Sequence, residues 1–317
     1  MKESAAPLDE PRLTGIHAAT LCPLTRDGAV SEAELAAHAG RIARAEGICG
    51  LLINGHAGEG GMMALDERRR VTEVVREAVP DASFLTVGVT SESTAAATRE
   101  AEDAARAGAD AVLVFPPNHW AMGADPGMIV DHHRAVAQAC GLPVVLYKAP
   151  LGWGRLSYDV DLLARLCQIE AVAGIKEGAW EVAAYEELRR RIKAERPGVS
   201  VMASGDEHLF ACYQIGTDGS QVSLAAIAPE LVTGLFAACN AGDWARAREL
   251  HEAIYPLSRE IYRRAPAYLA NARLKACLHL QGHIASDRMK RPMRELTPEE
   301  TDRLRAVLNI ECERAQA

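Results

Sequence analysis

Eight short, continuous apolar runs, each followed by an amphipathic stretch, constrain the fold of this 317-residue chain more than any other feature. The runs are Gly15 to Cys22, Ile48 to Asn54, Phe84 to Val89, Ala111 to Pro116, Pro143 to Lys148, Val172 to Lys176, Val199 to Ala203 and Ser220 to Leu224. Apolarity without alternation marks a strand covered on both faces, which means a parallel sheet. Between the runs, stretches such as Glu32 to Ala45, Asp66 to Val79, Ser93 to Ala107, Pro126 to Ala139 and Tyr158 to Gln168 carry Ala-rich and Leu-rich faces with Arg or Glu elsewhere. These read as crossover helices. A doubly wound sheet more often stops at about five or six strands, so about eight repeats in strict alternation point to an α/β fold, a (β/α)8 TIM barrel.

Local signals agree with that reading. Ser31 followed by Glu34 predicts a capping box, and Gly108 sits where a helix should stop. After the eighth run the chain is almost wholly helical in pattern, near Trp244 to Arg264, Tyr268 to Gln281 and Pro298 to Ile310, with Pro292 and Thr297 marking the turn before the last helix. The expected organisation is a patternless N-terminal segment over 1–14, a barrel over 15–240, and a C-terminal helical extension over 241–317 packed on one side.

Hydrophobic residues at 49% and charged residues at 25% give the balance of a globular protein with a large core. A net charge of −8 supplies no basic field for phosphates, which argues against nucleic acid or an anionic membrane as partner and leaves a small molecule. No leader pattern opens the chain and no apolar run is long enough to span a bilayer, so a cytoplasmic location is expected. The eight cysteines form no C-x-x-C pair, so free thiols are expected, with neither a zinc site nor a disulfide framework.

In a barrel of this kind the chemistry belongs at the C-terminal ends of the strands. The sixth run ends in Gly174-Ile175-Lys176-Glu177, which places a lysine where desolvation favours a nucleophilic amine; the plainer alternative is a lysine whose head reaches solvent. The fifth ends in Tyr147-Lys148 and is followed by Pro150, so a phenol stands where it can relay protons or simply fill a half-buried position. After the second run comes Asn54-Gly55-His56-Ala57-Gly58-Glu59-Gly60-Gly61, whose consecutive amides can form a concavity for a carboxylate. His56 is either a proton donor or a filler of polar space, and Glu59 either meets substrate or holds the loop. This loop has neither dinucleotide-fingerprint nor P-loop spacing, and adjacent His132 and His133 on one helix cannot both face one metal.

Taken together these segments resemble the dihydrodipicolinate synthase and N-acetylneuraminate lyase family, collinearly from Gly15 to about Leu224. The carriers are the Gly55-His56-Ala57-Gly58-Glu59 loop, Tyr147 with Pro150, Gly174-Ile175-Lys176-Glu177, and Ser204-Gly205-Asp206. The resemblance implies a class I aldolase: Lys176 condenses with pyruvate or another small 2-oxo acid as a Schiff base, Tyr147 relays protons, and the amides of His56 and Ala57 hold the carboxylate. Ala57, Gly58, Glu59, Ser204 and Gln221 are the expected substrate-binding residues, beside Lys176, Tyr147 and His56 as the catalytic set. No metal or organic cofactor is needed, and a homo-oligomer, tetramer or dimer, is implied.

The chain also departs from the family pattern. His56 and Ala57 stand where dihydrodipicolinate synthases carry a Thr-Thr pair, and Pro116-Pro117-Asn118-His119-Trp120 stands where a Tyr-Tyr pair supplies the shared relay. Leu151-Gly152-Trp153-Gly154 replaces the segment with the arginine that clamps the aldehyde's carboxylate, with Arg155 nearby. A rebuilt relay through His56 and an altered second-substrate pocket follow as expectations. They favour a 2-oxo acid aldolase, an aromatic hydratase-aldolase or a keto-deoxy sugar acid dehydratase over lysine biosynthesis. A non-catalytic, metabolite-binding barrel is the reading from a different class.

Overall fold

A computed structural model describes residues 12–315, with side chains through 308. Residues 1–11, most of the segment read as patternless, and Cys312 among the thiols lie outside what is described. Eight parallel strands close a barrel in chain order: β1 (Gly15–Ala19), β2 (Ile48–Ile53), β3 (Phe84–Val89), β4 (Ala111–Val114), β5 (Val144–Lys148), β6 (Val172–Glu177), β7 (Ser200–Ala203) and β8 (Gly219–Val222). Every apolar run becomes a strand, with ends shifted by up to three residues: the first, second, fourth and eighth runs lose their last residues to the loops that build the mouth, while the sixth is extended by Glu177.

The helices are α1 (Glu32–Ala43), α2 (Leu65–Ala78), α3 (Thr94–Arg106), α4 (Pro126–Cys140), α5 (Val160–Leu166), α6 (Val182–Glu195), α7 (Leu209–Ile215) and α8 (Pro229–Ala241) around the barrel. They are followed by α9 (Trp244–Ser258), α10 (Ala270–Leu280) and α11 (Pro298–Ala315). Alternation along each strand sorts the core into two layers. Leu146 and Ile175 face the helices, whereas Leu52, Phe84, Leu113, Phe115, Val145 and Met202 pack inside the barrel. Among the described residues no helix is long and apolar enough to cross a membrane.

One local expectation is corrected. Ser31 precedes α1 but its side chain makes no cap, and Glu34 instead accepts from the Ala285 amide. A long-range partner outcompeted the local one. The reciprocal cap forms at the last helix, where Thr297 N–H donates to Glu300 at 2.8 Å and Glu300 N–H donates to the Thr297 hydroxyl at 3.3 Å.

The segment after α8 does more than pack on one side. α9 lies against α8, a π-turn over Arg259–Arg263 follows, and the residues from there through Met293 reach the C-terminal ends of the barrel strands. Lys275 of α10 and the backbone of Lys290 both bond Glu59 in the loop after β2.

Candidate active site

Tyr147 and Lys176 are register partners on β5 and β6, both directed into the barrel at the strands' C-terminal ends. The Lys176 Nζ lies 6.0 Å from the centre of the Tyr147 ring. Neither its amine nor the Tyr147 hydroxyl has a hydrogen-bond partner among the described residues, so both are free for a ligand. Gly178 makes this corner possible: a Cβ there would come within 2.8 Å of the Lys148 carbonyl and 3.6 Å of the Tyr147 hydroxyl.

Burial depresses the Lys176 ammonium to about 8, against a smaller upward pull from Asp206. Desolvation, then the Glu177 charge, push the Tyr147 phenol above its ordinary range, so it remains an O–H donor at neutral pH. Glu177 points the other way, accepting from Ala179 N–H at 3.0 Å, and burial raises its carboxyl to about 7. Lys148, next to Tyr147 on the outward side, donates to the Tyr158 carbonyl.

The loop after β2 turns sharply through left-handed Asn54 (φ 53°) and Glu59 (φ 58°). A Cβ on Gly60 would lie 2.0 Å from the Asn54 carbonyl oxygen, so only glycine fits. Glu59 N–H donates to the His56 carbonyl at 3.0 Å and Gly60 N–H to Gly55 at 3.1 Å. The amides of His56, Ala57 and Gly58 have no acceptor among the described residues, and three consecutive free N–H groups in a turn make an anion-binding concavity.

The His56 ring joins an aromatic cluster, 4.3 Å from Phe115, 5.3 Å from Tyr147 and 5.3 Å from Trp153 between ring centres. Solvent reaches the ring through the mouth. Even so, desolvation by its neighbours and then the Lys176 charge hold the imidazole below its ordinary range, and it is neutral at pH 7.

Glu59 is among the residues lining the cavity, and its carboxylate is engaged within the protein. Its side chain is fully buried, pairs with Lys275, and accepts from Lys290 N–H at 2.8 Å. With both oxygens occupied, the carboxylate pins the loop, the second of the two roles its place in the sequence allows. Ser204 and Gln221 line the cavity floor. Gln221 Nε2 donates to Thr86 at 3.3 Å, while its Oε1 is buried without a partner. Arg155 lies against Gly123, away from the cavity lining.

The cavity holds about 860 Å³. Sequence reasoning missed much of its wall, because Tyr262, Arg263, Tyr268, Asn271 and Met293 come from the C-terminal segment. Asn271 Nδ2 donates to the His56 carbonyl at 2.7 Å, and the Tyr262 hydroxyl donates to Asp206 at 2.9 Å. Asp206, first noticed only as part of a family pattern, also accepts from Leu224 N–H at 2.8 Å, and burial raises its carboxyl to about 6. A signal was available in Lys275, a charge beside Leu274, Ala276 and Cys277 in α10. Among the described residues no group of three or more His, Cys, Asp or Glu is placed to hold a metal.

Comparison with known proteins matches residues 12–311 to the profile of the dihydrodipicolinate synthetase family. An uncharacterized DapA-like lyase of Halobacterium salinarum is 32% identical over 277 residues, covering 87% of each chain. The 4-hydroxy-tetrahydrodipicolinate synthase of Natronomonas pharaonis is 31% identical over 297 residues, covering 93% of this chain and 96% of that one. Among solved structures, an E. coli K12 prophage protein of the dihydrodipicolinic acid synthase family, in complex with pyruvate, superposes with a TM-score of 0.88 at 24% identity, over 95% of this chain and 99% of that one. A monomeric dihydrodipicolinate synthase variant gives a TM-score of 0.84 at 24% identity, over 94% and 97%.

Proposed function

This chain belongs to the dihydrodipicolinate synthetase family of lyases, and we propose that it acts through a Schiff base between Lys176 and pyruvate or another small 2-oxo acid. The observation that carries this reading is the unpartnered, desolvated amine of Lys176 in register with an unpartnered phenol on the next strand. With its ammonium at about 8, the neutral fraction at pH 7 rises from about 0.03% for an ordinary lysine to about a tenth.

The amine adds to the keto carbon, and the carbinolamine loses its hydroxyl as water, with the neutral Tyr147 O–H as the proton donor. The resulting iminium withdraws electrons from the adjacent carbon. Loss of a proton there gives an enamine whose carbon attacks an aldehyde, whose oxygen takes up a proton; in reverse the same bond breaks. The substrate carboxylate occupies the concavity of the His56, Ala57 and Gly58 amides, and Asp206, whose charge already favours the Lys176 ammonium, supplies a counter-charge to the iminium.

A homo-oligomer in the cytoplasm is part of the same proposal. Met122 and Met128, outside the cavity, leave apolar side chains exposed for a second copy to cover. Light scattering tests that part directly.

Intact mass after incubation with pyruvate and borohydride tests the chemistry. The wild type should gain one reduced pyruvyl group and Lys176→Ala none. An unmodified wild type under pyruvate and longer 2-oxo acids alike refutes the Schiff base.

A further inference from the structure

Trp180, just beyond β6, occupies the left-handed backbone region at φ 61°. The other non-glycine residues there among those described, Asn54 and Glu59, both serve the tight loop after β2. A bulky aromatic residue in that region is a genuine outlier, and such strain persists where surrounding structure enforces it, most often at ligand sites. Trp180 is enforced from two sides. Tyr262 packs edge-on with ring centres 5.0 Å apart, and the Arg263 guanidinium stacks 5.7 Å from the indole. The indole lines the cavity that holds Lys176.

Charge in this cavity is almost entirely paired. Arg263 is bound to the buried carboxylate of Glu207. Asp206 accepts from Tyr262 and Leu224, Glu59 pairs with Lys275, and Glu181 accepts from Ala183 and Ala184 amides at 3.2 and 2.7 Å. Of the charged side chains lining the cavity, Lys176 alone has neither an ion pair nor a hydrogen bond among the described residues. Among the lining residues Tyr147, Ser204 and Gln221 are buried, Trp180 is half-buried, and Trp153 and Tyr268 are exposed, so the outer part of the cavity is walled by aromatic rings.

We infer that Trp180 is the wall that selects the second reactant, and that this reactant carries a planar, uncharged, apolar group such as an aryl ring. The inference rests on the reading that Lys176 binds a 2-oxo acid in the same cavity. A carboxylate at the outer end meets no unpaired cation, and a polyol meets few free donors, whereas an aryl group meets ring faces that keep their contacts on binding.

Three alcohols carry the competing groups without a carbonyl for Lys176 to attack: benzyl alcohol, 4-hydroxybutyrate and glycerol. Their dissociation constants are measured on the full chain by ligand-observed NMR titration, with saturating pyruvate present to fill the carboxylate concavity beside Lys176, for wild type, Trp180→Gly and Trp180→Leu. Glycine is unstrained at this backbone position, so that variant keeps the fold, which its thermal melt checks; leucine keeps bulk without a ring. Benzyl alcohol should bind at least about tenfold more tightly than the other two, and each variant should lose at least about tenfold of that affinity. Equal or tighter binding of 4-hydroxybutyrate or glycerol, or benzyl alcohol binding that ignores both substitutions, overturns the inference. If the pyruvate trap fails while Trp180-dependent benzyl alcohol binding holds, the Schiff-base reading falls and takes the second reactant with it, while the aryl-binding wall at Trp180 stands. A successful trap without that preference has the opposite meaning.

Discussion

Glu59 and Lys275, 216 residues apart in the chain, form an ion pair from which water is wholly excluded. Lys275 also donates to the Arg288 carbonyl at 2.9 Å, and Glu59 also accepts from the Lys290 amide, so the remaining polar atoms of the pair are largely met. The pair fastens α10 to the loop that presents the free amides.

Removing one partner leaves a buried charge, which costs about 3–5 kcal/mol, while removing both is far milder. Lys275→Met should therefore lower the urea midpoint sharply, and Glu59→Gln with Lys275→Met should recover most of the loss. Equal midpoints for wild type and Lys275→Met would contradict a load on this pair.

The rate of imine formation should follow the neutral amine of Lys176. Because its ammonium titrates at about 8, the trapping rate with pyruvate should rise about tenfold per pH unit below that value and level off above it. Asp206 favours the ammonium, so Asp206→Asn should move the bend to lower pH. A wild-type rise that continues to about pH 10 would mean an ordinary lysine.

Stability carries the same signature with a defined sign. The folded state holds the Lys176 proton less tightly than the unfolded chain, whose lysine titrates near the ordinary 10.5. Below about pH 8 the burial penalty is present in full, and between about 8 and 10.5 stability rises as the folded amine gives up its proton first. Lys176→Met should thus exceed wild type in stability at pH 7, by a margin that shrinks toward pH 10. Chemical denaturation at the two pH values measures it.

The proton relay separates Tyr147 from His56. Tyr147→Phe should cut turnover by roughly 10²–10⁴-fold, since no other hydroxyl is in register with Lys176. His56→Ala tests the rebuilt relay: a loss of turnover larger than the loss of pyruvate affinity assigns the neutral imidazole to proton transfer, whereas normal turnover rules it out.

Asn271→Leu removes the donor that holds the His56 carbonyl. A hydrogen bond of this kind contributes about 0.5–1.5 kcal/mol, so the KM for the 2-oxo acid should rise roughly two- to tenfold with kcat little changed. A fall in kcat at constant KM would place Asn271 in the chemical step instead.

The sequence by itself determined the barrel and the positions of Lys176, Tyr147 and the loop from Asn54 to Gly61. Apolar runs, helix periodicity and strand-end motifs are local properties, and the rule that strand ends form the mouth then places the motifs together. The tertiary structure decided which polar groups met. Glu34 left its predicted cap for Ala285, Glu59 found Lys275, and Tyr262 and Asn271 reached Asp206 and His56. These contacts span 56 to 251 residues, and apart from the charge of Lys275 within α10 nothing in the neighbourhood of either partner along the chain announces them. They exist because the C-terminal helices fold back over the barrel mouth, where groups removed from water must find partners in whatever segment arrives.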